Sequence, residues 1–426
     1  MQNRTRKTNK GRVISTLLAV VLAAGLLVAL PQTAFADSRI VSIAQSDSIN
    51  EIQTKIQNAI DTSPAGSTIT VIGSRIWVDS PIGIELKNDV HVIWRATYSG
   101  DYRSVIFGNF VPSLLTVDGN GCFEVAEGAD ICGGLSLATI NVIGDNKEIL
   151  VTGGFVHSVG CYTILIDSSG TQLTVSGGTV ENEYGFTLFS TQKGSSVAVK
   201  GGQVNGYGSG LVGDTGLRCS TIYANQVIVA SGGKVVAAGS GDAVKAVQSL
   251  EARVVIDGGT VTSCSGAAVY SRHTLVLPGS IVEATTTGNA IKSVGRSSEV
   301  EISGGMVCAR SGYALLVDDY GTATIKGGFV FAHGVIDPGH IYPYSDVITM
   351  FAGDPDISGN AVICAWNQRA RGIFYNANSS LDLTSNPQTG RNRVTWNVIG
   401  GVSGISYAGS PGFYAVDGVW VSKSLR

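Results

Sequence analysis

The apolar positions of the chain fall into a phrase that recurs between Ile149 and Val330: an alternating apolar triplet, two glycines, one variable position and a valine. Its copies read ILVTGGFV from Ile149, LTVSGGTV from Leu173, VAVKGGQV from Val197 and VVIDGGTV from Val254. LVLPGSIV from Leu275, VEISGGMV from Val300 and ATIKGGFV from Ala323 follow, and VIVASGGKV from Val227 carries one extra residue. The first glycines stand at 153, 177, 201, 232, 258, 279, 304 and 327, a drifting period of about 25 residues. A period of this size predicts a solenoid with loops of variable length.

The residues around the glycines predict the coil. Val-x-Val and Ile-x-Ile alternate with period two, so their apolar side chains share one side of a sheet. Three places after the first glycine the side chain is always valine. Five places after it stand Ser158, Asn182, Gly206, Ala237, Ser263, Ala284, Ala309 and Ala332, small residues suited to a crowded interior. Four and six places after it the chemistry is mixed, from His157 and Glu181 to Phe331 and His333, which marks an outward face. Gly-x-Ala/Thr-aliphatic recurs eight or nine places on, at Gly185, Gly241, Gly266, Gly288 and Gly312, as a second strand. The paired glycines fit a corner that needs positive φ or close backbone approach. Coils about 4.8 Å apart would carry the eight copies over about 34 Å, and the expected fold is an all-β parallel β-helix.

The N-terminal region predicts export and then a cap. Arg4, Arg6, Lys7, Lys10 and Arg12 precede an uncharged run from Val13 to Leu30, and Ala34-Phe35-Ala36 offers a small-x-small cleavage site. Residues 1–36 therefore read as a secretory signal peptide, the alternative being an uncleaved anchor. Ser48-Ile-Asn-Glu51 is a capping box, and Ile49, Ile52, Ile56, Ala59 and Ile60 follow at helical spacing before Ser63-Pro64. An amphipathic helix over about 48–62 would cover the open strand edges at one end of the solenoid. STITVIG, RIWV, IGIEL and DVHVIW, between Ser67 and Trp94, read as short strands.

The order helix, AGSTITV, then strands carrying IEL and VHVIW resembles the entrance of the pectate-lyase-like right-handed β-helix superfamily. The resemblance spans Ser48 to about His333 and is one of architecture. It implies a right-handed solenoid, as does the general preference of parallel crossovers. Residues 95–148 are less regular and predict early coils with longer loops, so the β-helix is expected over 37–335. From His333 to Gly353 the phrase stops, and NAVICAW, RVTWNV and FYAVDGVWV are strand-like, which predicts a β-rich cap or small module over 336–426. These last segments look like the trailing parts of secreted Gram-positive β-helix proteins.

Composition narrows the partners. Charged residues are 14% and hydrophobic residues 44%, with 56 glycines, which is not a disordered composition. Loss of the five basic residues with the signal takes the formal charge from −3 to −8. An acidic chain argues against nucleic acid and against an anionic membrane as partner. The seven cysteines (Cys122, Cys132, Cys161, Cys219, Cys264, Cys308, Cys364) are scattered, with no Cys-x-x-Cys, so neither a zinc site nor a disulfide scaffold is indicated. Cys122 and Cys132 are the one near pair that could form a disulfide.

Two acidic spots are candidate sites. Glu181 and Glu183, with Tyr184 beside them and Tyr207 one coil on, would point outward with carboxylates about 6–7 Å apart along the strand. That separation could suit glycosidic acid/base work, although a solvated face is the simpler reading. Asp318-Asp319-Tyr320 stands past the second strand of its coil, yet the Asn-Thr-Asp, Gly-His-Gly and Arg-Ile-Lys companions of the β-helix hydrolases are missing, as are the pectin esterase signatures. The calcium repeat Gly-Gly-x-Gly-x-Asp is not met either, so no cofactor or metal is expected, with calcium left open but indicated by no motif. The spaced glycines from Gly206 to Gly213 lack the Lys-Ser/Thr of a phosphate loop. The function expected is a secreted or cell-surface, non-catalytic protein that presents a glycan-binding or adhesive face. A polysaccharide lyase or glycoside hydrolase, and a purely structural envelope spacer, are the alternatives.

Overall fold

The computed structural model describes residues 37–100, 112–134, 136–208, 219–318, 320–332, 347–351, 355–357 and 361–365, together with short strands further on. Residues 1–36, where a signal peptide is expected, Asp319 and the expected connection from His333 to 346 lie outside the described residues.

The chain coils as a parallel β-helix with three strands per turn, each pairing in parallel with the equivalent strand of the coils on either side. Sheet 1 carries the apolar triplets. Val151, Val175, Val199, Val229, Ile256, Val276, Ile302 and Ile325 stand in one register column. Sheet 2 follows the glycines and stacks Val156, Val180, Val204, Val235, Val261, Val282, Val307 and Val330. All eight valines are 0% exposed, and each removes its side chain from water for about 1.5–3 kcal/mol. The small-residue column is buried beside them, as its composition predicts. Sheet 3 carries the Gly-x-Ala/Thr-aliphatic strands, with Ile164, Leu188, Ile222, Val244, Val269, Ile291 and Leu315 turned inward.

The corner glycines meet both requirements at once. Gly178 has φ +66, and a Cβ on it would lie 2.5 Å from the carbonyl carbon of Gly153 in the coil before; one on Gly177 would run into the Thr152 carbonyl. The same division holds where Gly154, Gly202, Gly305 and Gly328 take positive φ as second members of their pairs. In the coils marked by Gly232, Gly258 and Gly279 the first glycine does so instead.

At the N-terminal end, β1 (Ser38–Ile43) opens sheet 1, a strand the residue pattern alone had not flagged. The helix α1 (Ile49–Asp61) starts at the capping box: Ser48 Oγ accepts from Glu51 N at 3.3 Å, and the Glu51 carboxylate accepts from Ser48 N at 2.7 Å. Ile52, Ile56 and Ile60 are buried against the first coil. The expected short strands are two long ones, β2 (Thr68–Val78) and β3 (Ile82–Trp94). Positive φ at Gly73 and Asp89 bends each around a corner without ending it, so each serves two sheets. The helix closes the first edge of sheet 3. Gln57 Nε2 donates to Glu85 O and Gln57 Oε1 accepts from Glu85 N, both at 3.0 Å, which satisfies backbone groups that no strand reaches.

The ladders continue beyond residue 335. Ile348–Met350 pairs with Leu315–Val317, and Val362–Ala365 joins Phe329–Ala332 to Thr395–Gly400. Phe413–Val416 and Val419–Ser422 form an antiparallel hairpin.

Candidate functional site

The outward side of sheet 2 gathers the polar candidates in its early coils. Register sets Glu181 between His157 and Asn205, and Cys132 beneath His157. The alternation that turns Val180 and Asn182 inward turns Glu181 outward, and Glu183 follows at the start of the next corner. Glu183 lies past the strand end, so the spacing of about 6–7 Å expected for two residues along a strand does not carry over to this pair.

Asn182 makes that corner. It is 0% exposed and sits in the small-residue column, where its amide acts as a clamp. Its Oδ1 accepts from Tyr184 N at 2.9 Å and from Gly185 N, and its Nδ2 donates to Phe186 O at 3.1 Å, Thr163 Oγ1 at 3.2 Å and Gly160 O at 3.3 Å. The clamp holds Tyr184 outward with 66% of its surface in solvent, and Tyr207, 46% exposed, stands on the next coil. Tyr207 N donates to Asn182 O at 2.9 Å, which ties the two tyrosine-bearing corners together.

His157 is the most constrained group on this side. Its ring stacks on Phe155 at 4.5 Å with 18° between the planes. Nδ1 lies 3.5 Å from Cys132 Sγ, and Nε2 lies 3.7 Å from Asp130 Oδ1. Burial holds its pKa below the ordinary histidine value, while Asp130, Glu181 and Glu183 pull the other way. Cys132 and Asp130 meet opposite edges of the ring, so the three cannot share one ion. Among the described residues no set of three His, Cys, Asp or Glu is placed to hold a metal.

The mixed column does not stay open along the whole sheet. Asn205, Cys308 and Phe331, expected on an outward face, are 5%, 8% and 1% exposed. Ladder neighbours at about 4.8 Å above and below remove much of an outward side chain's surface. Phe331 also stacks on Phe329 at 5.5 Å, and Asn205 Oδ1 accepts from Gln203 Nε2 at 2.6 Å.

The second acidic candidate is elsewhere. Asp318 follows the sheet 3 strand Leu315–Val317, five coils beyond Glu181, or about 24 Å along the axis. Tyr320 is 75% exposed in a turn at φ +62. The two acidic spots therefore do not form one site. Asp318 and Asp242 stand near Tyr270, whose pKa is raised by burial first and by these two carboxylates next.

Sheet 3 holds an outward stripe that the residue pattern left unremarked: Leu165, Phe189, Tyr223, Lys245, Tyr270, Lys292 and Leu316 occupy one register column. Phe189 and Tyr223 stack at 5.1 Å, Lys245 Nζ lies 5.1 Å from the Tyr270 ring centre, and Lys292 Nζ lies 5.0 Å from it. Four places after Gly185, Gly241, Gly266, Gly288 and Gly312 stand Phe189, Lys245, Tyr270, Lys292 and Leu316, which is the sequence signal for most of this stripe.

Cys122 and Cys132 form no disulfide. Their strands belong to sheets 1 and 2, whose outward sides diverge. Comparison with models of known families, with curated proteins and with solved structures finds no match.

Proposed function

We propose that the protein is a secreted or cell-surface β-helix that binds a glycan, without turning it over, on the outward side of sheet 2 around Glu181, Glu183, Tyr184 and Tyr207. The observation that carries this reading is the pair of solvent-facing tyrosines, 66% and 46% exposed, on consecutive coils beside outward carboxylates. A tyrosine combines an apolar ring with a polar tip, which suits a sugar's C–H face and its hydroxyls together. Hydrogen bonds to a charged acceptor are the stronger kind, about 1.5–3 kcal/mol, so Glu181 and Glu183 fit hydroxyl donors. The acidic surroundings favour a neutral or amino-bearing glycan over a uronate or sulfated one. A coil repeat of about 4.8 Å presents these groups as a regular surface to an extended polymer. The order of helix and early strands keeps the likeness to the pectate-lyase-like right-handed solenoids as support for the same reading, by analogy.

The test is incubation of the chain from residue 37 with neutral, amino-bearing and acidic polysaccharides, with and without calcium, reading both retention and soluble products. Retention of a neutral or amino-bearing polymer without products is the expected result. Release of unsaturated uronates or new reducing ends would replace this reading with the lyase or hydrolase alternative. Failure to retain any polymer would leave the spacer role.

A further inference from the structure

Cys122, Cys132, Cys161, Cys219, Cys264 and Cys308 are free thiols whose surroundings differ. Burial, with Glu148 and Glu124 nearby, pushes the Cys122 thiol up to about 12, and burial near Glu283 does the same to Cys308. Burial also raises Cys161. Cys219 is buried with its Sγ 3.0 Å from Tyr184 O, and Cys264 meets only hydroxyl and backbone groups around Thr286. Cys132 is the one with an imidazole nitrogen against its sulfur: it is half-buried, with His157 Nδ1 at 3.5 Å.

Three groups face the ring on different sides. Phe155 fixes its plane, Asp130 faces Nε2, and Cys132 faces Nδ1. With the ring proton on Nε2, the side facing Asp130 at 3.7 Å, Nδ1 is the acceptor toward the sulfur, the orientation a base needs. Once Nδ1 takes the thiol proton, burial disfavours the imidazolium, and Asp130 on its own side with Glu181 and Glu183 from the next coil offset part of that cost. Nucleophile, base and orienting carboxylate are thus in contact order, on two adjacent strands of a sheet whose register fixes them.

We propose that Cys132, His157 and Asp130 form a reactive-thiol site that exchanges with small cationic disulfides. His157 Nδ1 takes the Cys132 S–H proton, and the thiolate attacks one sulfur of the disulfide. The new S–S bond forms as the old one breaks, and the departing thiolate recovers the proton from the imidazolium. One disulfide is consumed and one is made, so no other oxidant is needed. Asp130, Glu181 and Glu183 around the ring select a disulfide with positive ends. The thiol exchange needs no bound glycan, although Glu181 and Glu183 border both sites.

The test treats the chain from residue 37 with cystamine near neutral pH and follows each cysteine by peptide mass mapping. Cys132 is expected to react about tenfold faster than Cys264, which is half-exposed as Cys132 is, with the Cys132 rate falling as pH drops through the imidazole range. Relative to Cys264, Cys132 is expected to prefer cystamine over the anionic disulfide dithiodipropionate. His157→Gln should slow Cys132 about tenfold and leave Cys264 unchanged. Asp130→Asn, which keeps the imidazole, should slow it less and serves if the His157 variant fails to fold. Equal rates at Cys132 and Cys264 in the unaltered chain, or an undiminished rate in folded His157→Gln, would overturn the proposal.

Discussion

The outward sides of sheets 2 and 3 use similar residues to opposite ends. On sheet 3, rings meet rings: Tyr162, Phe186, Phe189 and Tyr223 lie 4.8–5.7 Å apart, and the lysines of the next coils lie against Tyr223 and Tyr270. These aromatics satisfy one another, and Phe186 and Tyr223 are only 1% and 7% exposed. On sheet 2, Tyr184 and Tyr207 stand at corners and keep 66% and 46% of their surface in solvent. An in-strand position places each ring over the next at the coil repeat, whereas a corner position aims it away from the stack. Placement, more than composition, separates an aromatic that braces the fold from one that can meet a ligand.

The comparison breaks first at Asn182. Asn182→Ala leaves the buried Gly185 N and Phe186 O and the half-buried Tyr184 N short of their partner, at about 1–3 kcal/mol for each orphaned group. A loss of about 4 kcal/mol in urea unfolding is expected, with glycan retention falling as the Tyr184 corner loosens. Next comes sheet 3: Tyr223→Ala removes a 7% exposed ring and should cost about 3 kcal/mol, without change in retention once folded. Tyr184→Ala and Tyr207→Ala should do the reverse. Each is expected to weaken retention about tenfold, or about 1.4 kcal/mol, and to move stability by less than about 0.5 kcal/mol.

The smallest effect is one of pH. The folded pKa of His157 lies below its unfolded value near 6.5, so the unfolded chain binds the extra proton first. Its contribution to stability is complete above pH 6.5 and declines as pH falls from there through the folded value. A shallow loss of unfolding free energy between pH 7 and pH 5 should therefore be reduced in His157→Gln.

Much of the coil was legible from the residues because the glycine phrase ties local geometry to stacking. Each marked valine faces inward in register, and the Ser/Asn/Ala column lies buried beside it. The capping box and its isoleucines likewise placed α1, since caps and apolar spacing are local signals. The site was harder. Counting from the glycine markers aligns His157 and Asn205 with Glu181, yet Asp130 and Cys132 precede the first clear phrase and had no marker to align them. Asn182 looked like one more small residue, because a column of sizes does not reveal which member bonds the corner. The corners at Gly73 and Asp89 hid two continuous strands, since a bend within a strand reads in sequence as a break.

The most direct measurement compares binding isotherms on a retained glycan for the unaltered chain, the double variant Tyr184→Ala/Tyr207→Ala, and Tyr223→Ala. The account predicts affinity about a hundredfold weaker in the double variant, with an unchanged melting temperature, and full affinity in folded Tyr223→Ala. Undiminished binding by the double variant, or weakening that follows stability whichever sheet is altered, would contradict it.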